Sequence, residues 1–116
     1  MISADKCFVG EGIKSAQKLL DKLNKGIVIK SFEIVAFVNG GNRLEIYNSR
    51  IFNQKYFKKQ DYEVAALFNS QGEAFEYIRI LSELSVRTFG KFDARKAYAD
   101  IPLELIKLTM ESEGVL

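Results

Sequence analysis

The absence of histidine limits the chemistry that this sequence can support. Its 116 residues include no histidine and a single cysteine, Cys7. A Ser-His-Asp triad, a Cys-His pair and a histidine-ligated metal site are therefore excluded. One thiol forms neither an internal disulfide nor a thiolate cluster, and the apolar neighbours Phe8 and Val9 favour a packing role for it. We predict no catalytic site, no metal and no cofactor, and hence a protein that is not an enzyme.

Two carboxylate pairs and one glycine-containing stretch resemble functional motifs only superficially. Glu73 and Glu76 fall in the first turn of a predicted helix, where acidic side chains complement the helix dipole. Glu111 and Glu113 lie at the end of another predicted helix and are expected to be solvated. The stretch Gly10-Glu11-Gly12 precedes a helix, but it lacks the third glycine or the Gly-Lys-Ser of phosphate-binding loops. We expect structural roles for all three.

The segment from Asn48 to Gln60 combines cations with aromatic rings and contains no acidic residue. Cations neutralise phosphates, and exposed aromatic rings stack on unpaired bases. This pattern makes a nucleic-acid-binding module one alternative function, with five candidate residues: Arg50, Lys55, Tyr56, Lys58 and Lys59. The competing interpretation is that Phe52, Tyr56 and Phe57 anchor the segment to the core while its lysines remain in water.

The last predicted helix carries more apolar residues than one buried face requires. Leu105 and Leu108 lie on one side of it, and Leu103, Ile106 and Met110 lie on another. A surplus apolar face is typical of a helix that contacts a second copy or another protein. We therefore predict a protein-interaction module that forms a homodimer through Leu103, Ile106 and Met110 or through a sheet edge. The alternative is that this helix lies deep between neighbouring elements.

A third possible function is small-molecule binding between the sheet and the helices. Aromatic side chains on the predicted elements could line such a pocket, and tyrosine hydroxyl groups could fix a ligand within it. The candidate pocket residues are Tyr47, Tyr62, Phe75 and Tyr77.

Hydrophobic periodicity and turn residues predict the elements that would position these side chains. Helices are expected from Glu11 to Lys25, from Ser70 to Gly90 and from Asp100 to Gly114, the last with Asp100 as its cap and Pro102 in its first turn. Strands are expected from Ile27 to Val38, from Arg43 to Tyr47 and from Tyr62 to Phe68. Asn39-Gly40-Gly41-Asn42 is a hairpin turn, and alternation in the first strand places Ile29 on the same face as Val35.

This order of elements predicts one α+β domain spanning residues 1–116. We expect a mostly antiparallel sheet of three to four strands with the helices packed on one face. The order is α-β-β-β-α-α, with a possible short strand or docked arm from Lys6 to Val9.

Charge is distributed unevenly along the chain although the net charge is only +2. Residues 1–60 hold 11 Lys and Arg against 5 Asp and Glu, and the remainder holds 6 against 10. A basic and an acidic end favour an oriented protein partner or head-to-tail self-association. No stretch approaches the roughly 18 apolar residues of a membrane span, so no membrane partner is predicted. The first residues do not resemble a signal peptide, and the expected location is cytoplasmic.

Overall fold

The computed structural model describes residues 1–28 and 30–116 but not the side chain of Lys58. The strands are β1 (Ile2–Ser3), β2 (Phe8–Val9), β3 (Glu33–Val38), β4 (Leu44–Asn48) and β5 (Tyr62–Phe68). The α-helices are α1 (Ala16–Asn24), α2 (Lys55–Lys58), α3 (Gln71–Phe89), α4 (Ala94–Asp100) and α5 (Leu103–Ser112), and a 3₁₀ helix covers Ser49–Asn53. These elements confirm the predicted α+β class. The expected face of Ile29 lies outside the described residues.

The sheet is mixed rather than mostly antiparallel. β3 lies at its centre and pairs antiparallel with β4 on one side and β5 on the other. β1 and β2 both pair parallel with β5, which brings the described strands to five. The prediction of three to four strands was too low, because a strand of two residues is too short to show an alternating pattern. The first predicted long strand begins only at Glu33, not at Ile27.

The hairpin between β3 and β4 forms where the turn residues predicted it. Asn39 and Gly40 both have positive φ angles, 51° and 72°, and Gly41 N donates to Val38 O at 2.9 Å. Two successive positive φ angles are typical of the type I′ turn, whose twist matches that of the flanking strands. Gly41, Asn42 and Arg43 follow the turn before β4 begins, and Val35 lies opposite Ile46 in the register of the hairpin.

A bulge in β5 changes which side chains point to each face of the sheet. The register against β3 shifts between Val35 and Ala36, which leaves Ala65 as the extra residue. As a result, Val64 packs into one core and Ala66 packs into the other. β5 therefore presents apolar side chains to both sides.

Helices cover both faces of the sheet, which corrects the expectation that they pack on one face. α1 contributes Leu19, Leu20 and Leu23 to one core together with Ile34 and other side chains of β3 and β5. On the opposite face α3, α4 and α5 pack against a second core. The physical reason is that β3 and β5 are apolar on both faces, so each face has to be shielded from water.

The helices differ from the predicted order α-β-β-β-α-α, since α2 was not predicted and Asp100, the expected start of the last helix, instead ends α4. α4 was not predicted, although Asp93 caps it by accepting from Lys96 N at 3.1 Å. α1 begins at Ala16, not at Glu11. Gly10 instead lies against β5, where an added Cβ would come within 2.8 Å of Phe68 Cδ1. Close packing, not phosphate binding, accounts for this glycine.

The boundaries of α3 confirm the predicted capping residues. Ser70 Oγ accepts from Glu73 N at 3.2 Å, and Gly90 ends the helix with a φ of 81°. Of the carboxylates noted in the sequence, Glu76 and Glu113 form ion pairs with Arg79, which also pairs with Glu83. Glu113 was expected to be solvated, but the folded chain brings it next to α3.

Candidate functional site

The predicted contact residues of α5 lie mostly inside the domain. Ile106 is 1% exposed and Met110 is fully buried, and Leu103 packs half-buried against the same core. Because that core already occupies them, Ile106 and Met110 offer no surface to a partner. The exposed side of α5 carries Leu105 and Leu108 instead. The face that the sequence assigned to a partner is thus the face that holds the helix to the sheet.

The four candidate pocket residues do not share one pocket, although Tyr47 and Phe75 both line a surface groove along β4. Tyr47 and Tyr62 lie on the α1 side, with ring centroids 5.8 Å apart in an edge-to-face arrangement. Tyr77 is buried in the core on the opposite side, and Phe75 is 57% exposed on α3. The structure therefore forms no common pocket from these residues.

A separate cavity of about 320 Å³ lies between the end of α1 and the 3₁₀ helix. Leu23, Phe52 and Tyr62 contribute to its walls, and Asn24 is engaged by Ile2 through bonds of 2.8 and 2.9 Å. Among the described residues, the buried Tyr62 hydroxyl has no hydrogen-bond partner. Burial raises the pKa of Tyr62 to about 12, so this hydroxyl keeps its proton near neutral pH. A small-molecule ligand usually requires several fixed polar groups, and this cavity provides few.

The basic-aromatic segment, Asn48 to Gln60, folds into the 3₁₀ helix and α2. Two of its three aromatic rings anchor it to the core. Phe52 is buried against Tyr62 with ring centroids 4.9 Å apart, and Phe57 is half-buried. Tyr56 remains 70% exposed. Arg50, Lys55 and Lys59 are exposed as well, while the candidate role of the Lys58 side chain lies outside the described residues. Two of the three rings are anchors, and the third faces solvent beside the cations.

Strand β4 forms an open edge of the sheet, a surface that the sequence did not locate. Over residues 1–28 and 30–116, β4 pairs with β3 alone. A groove of about 430 Å³ separates it from the start of α3, with Leu44, Ile46, Phe75 and Ile78 in its lining. Ile78 is half-buried at this groove, whereas Ile80 of the same helix is fully buried in the core. Hairpin signals identify β4 as a strand, but only the placement of β5 beside β3 makes it an edge.

The isolated cysteine and the carboxylates do not assemble into a reactive centre in the part of the chain that the structure describes. Within it, no group of three or more His, Cys, Asp or Glu residues could hold a metal ion. Burial raises the pKa of the Cys7 thiol to about 11, which disfavours a reactive thiolate. No helix among the described residues has the length and apolar character required to span a membrane.

The molecule is thus an α+β protein with a mixed sheet, helices on both faces and β4 at an edge of the sheet. No family model matches this chain, and comparison with curated proteins and with solved structures finds no match either. Its function is therefore inferred from its own residues.

Proposed function

We propose that this protein is a protein-interaction module that self-associates through antiparallel pairing of β4 with β4 of a second copy. The observation that carries the proposal is the open edge of β4 beside the apolar groove formed with α3. This assignment keeps the predicted self-association and favours the second of its two predicted contacts, a sheet edge, over α5.

The backbone of β4 has hydrogen-bonding groups directed away from the sheet. Ser49 N donates to Phe32 O at 2.8 Å, which places this pair among the hydrogen-bonded pairs of the hairpin. Such pairs alternate along antiparallel strands, so Tyr47 and Glu45 also bond towards β3. The N–H and C=O groups of Leu44 and Ile46 then point outward, whereas the C=O of Asn48, the N-cap of the 3₁₀ helix, accepts the first bond of that helix. Another strand can satisfy the outward groups by strand addition.

Side chains around this edge lack the features that usually prevent strand addition. Natural edges are protected by lysine, proline, bulges or inward-pointing charges. β4 has the sequence Leu-Glu-Ile-Tyr-Asn, in which Glu45 is the only charged residue. On the α3 side, Leu44 and Ile46 are half-buried and adjoin the exposed ring of Phe75. An added strand would cover this apolar strip.

The residues of β4 favour a second copy with one particular register. Pairing Ile46 with Ile46 of the second copy satisfies the outward backbone groups on both strands and places apolar side chains at the two-fold axis. Shifting the axis to Glu45 would put two carboxylates directly opposite each other, which is unfavourable. In the preferred register both α3 helices lie on the same side of the joined sheet, with the two Phe75 rings near its centre.

The test is the oligomeric state of matched variants by analytical ultracentrifugation over a wide range of concentration. We expect a concentration-dependent dimer for the unmodified chain and a monomer for Phe75→Lys, because a charge in the groove opposes burial. Leu44→Pro should also weaken the dimer, because it removes one outward N–H. The fold should be retained, because proline is tolerated at the first residue of a strand. Leu108→Lys introduces the same charge on α5, where Leu108 is 55% exposed, and should leave the dimer intact.

Three results would contradict the proposal. One is an unmodified chain that stays monomeric at every concentration. Another is a folded Phe75→Lys variant that dimerises as strongly as the unmodified chain. The third is dissociation by Leu108→Lys alone, which would assign the contact to α5. Thermal unfolding of each variant establishes that the fold is retained.

A further inference from the structure

The uneven charge along the chain becomes an uneven charge across the sheet. The layer on the α1 side consists of residues 11–28, 30–32 and 49–60, which include nine Lys and Arg against two Asp and Glu. The layer on the opposite side, residues 69–116, includes six against eight. We call the first the basic layer. Its charge follows from the position of α1 and the 3₁₀ helix on one face.

The cations of the two layers also differ in whether carboxylates neutralise them. On the α3 side, Arg79 forms ion pairs with three glutamates, and Arg95 forms one with Glu63. Among the described side chains of the basic layer, no lysine or arginine forms an ion pair with a carboxylate. Most of these cations are exposed, namely Lys14, Lys18, Lys25, Lys30, Arg50, Lys55 and Lys59. Their charge is therefore available to an anionic ligand.

The exposed ring of Tyr56 is supported from beneath by other aromatic rings. It packs edge-on against Phe57 with centroids 5.2 Å apart, and Phe57 packs against Tyr47 at 6.1 Å. Tyr47 in turn contacts Tyr62, whose ring packs against the buried Phe52. Each contact has the edge-to-face geometry that aromatic pairs prefer. These contacts connect the solvent-facing ring of Tyr56 to the core and restrict its motion. Binding of a partner to this ring would therefore cost less conformational entropy.

We infer that the basic layer binds single-stranded nucleic acid, with an unpaired base stacked on Tyr56 and phosphates contacting Arg50, Lys55 and Lys59. Stacking on an exposed ring requires an unpaired base, whereas lysine and arginine neutralise the phosphates without reading sequence. This site goes beyond the proposed self-association and uses neither the outward groups of β4 nor Phe75.

An anionic membrane surface fits the same features less well. Membrane-surface helices bury a broad apolar face in the lipid boundary. The outward residues of α1 are instead Gln17, Lys18, Asp21 and Asn24, and α2 has only four residues. A single fixed ring among cations is better suited to a base and its phosphates.

The test is fluorescence anisotropy with a labelled oligothymidine and a duplex of equal length, at about 50 and 200 mM salt. We expect tighter binding to the single strand and affinity that falls steeply with salt. Tyr56→Ala should weaken single-strand binding by roughly tenfold, whereas Tyr56→Phe should retain it because the ring remains. The double variant Lys55→Gln with Lys59→Gln should reduce the salt dependence. Lys91→Gln with Lys107→Gln removes the same charge from exposed residues of the other layer and should change little.

Several outcomes would overturn the inference. Absence of binding at the lower salt concentration would remove it. Equal affinity for duplex and single strand, together with no effect of Tyr56→Ala, would reduce the surface to a general polyanion contact. Tighter binding to vesicles containing anionic lipid than to the oligonucleotide would assign the basic layer to a membrane instead. The Phe75→Lys variant, measured in parallel, distinguishes this site from the self-association contact because its single-site affinity should be unchanged.

Discussion

At the scale of the residue, Gly10 shows how tertiary contacts explain a structural role that the local pattern predicts but does not specify. Gly10 N donates to Leu67 O at 2.9 Å, and the buried ring of Phe68 occupies the space where a side chain would stand. We expect Gly10→Ala to lower the free energy of unfolding by about 1–3 kcal/mol, the usual cost of forcing extra volume into a packed site. Urea unfolding followed by circular dichroism measures this.

The matched control for Gly10 is Gly72→Ala. Gly72 lies in α3, and an added Cβ there meets no atom within 4 Å. Alanine also has the higher helix propensity, so this variant should be unchanged or more stable by up to about 1 kcal/mol. Equal stability of the two variants would show that Phe68 moves aside at no cost.

At the scale of the element, α5 has one face committed to the core and another left to solvent. Ile106→Ala should lower the free energy of unfolding by about 2–5 kcal/mol, because it leaves a cavity among side chains that surround it completely. Leu108→Ala, on the exposed side, should change it by less than about 0.5 kcal/mol. Chemical unfolding of the two variants compares the faces directly. A small effect of Ile106→Ala would mean that α5 docks loosely on the sheet.

At the scale of the whole molecule, buried titratable groups should make the domain less stable in alkali. Burial raises the pKa of Cys7 from 9.0 to about 11 and that of Tyr62 from 10.0 to about 12, and it also raises the pKa of Tyr77. The folded state therefore holds these protons more tightly than the unfolded chain. Their contribution is fully present below about pH 9 and is lost as the pH rises through the folded-state values.

We expect the free energy of unfolding to fall between about pH 9 and pH 12, with each group contributing up to about 1.4 kcal/mol per pH unit while it titrates. Urea unfolding at a series of pH values measures the slope. Cys7→Ala should remove the part that begins near pH 9 and leave the later decrease due to tyrosine. A free energy that stays constant to about pH 11 would show that these groups are hydrated in the folded state.

The two proposed surfaces also have a spatial relation at this scale. Pairing two copies through β4 about an axis perpendicular to the sheet places both α3 layers on one side and both basic layers on the other. Self-association would thus leave Tyr56 and its neighbouring cations accessible in each copy, which is why the two binding activities can be tested separately.

Local features of the fold could be predicted from the sequence because short-range chemistry decides them. Ser70 caps α3, Gly90 ends it, and Asn39 and Gly40 form the hairpin turn, all within a few residues of the signals that predicted them. The strand Tyr62–Phe68 was also predicted with its observed bounds. Among the functional candidates, the exposed cations of the basic-aromatic segment were identified correctly as residues in solvent, since lysine is rarely buried.

The remaining features depended on which segments meet in space. Periodicity showed that α5 has two apolar sides, but contact with α3 and the sheet decided that Ile106 and Met110 lie inside and Leu105 and Leu108 outside. Strand pairing decided that β4 is an edge and that β1 and β2 lie parallel to β5. The sequence alone determined the composition, the missing histidine chemistry, the turns and the caps, because these are properties of single residues and their neighbours. Only the tertiary structure decided which faces are covered and how charge divides across the sheet, because burial depends on contacts between residues far apart in the chain.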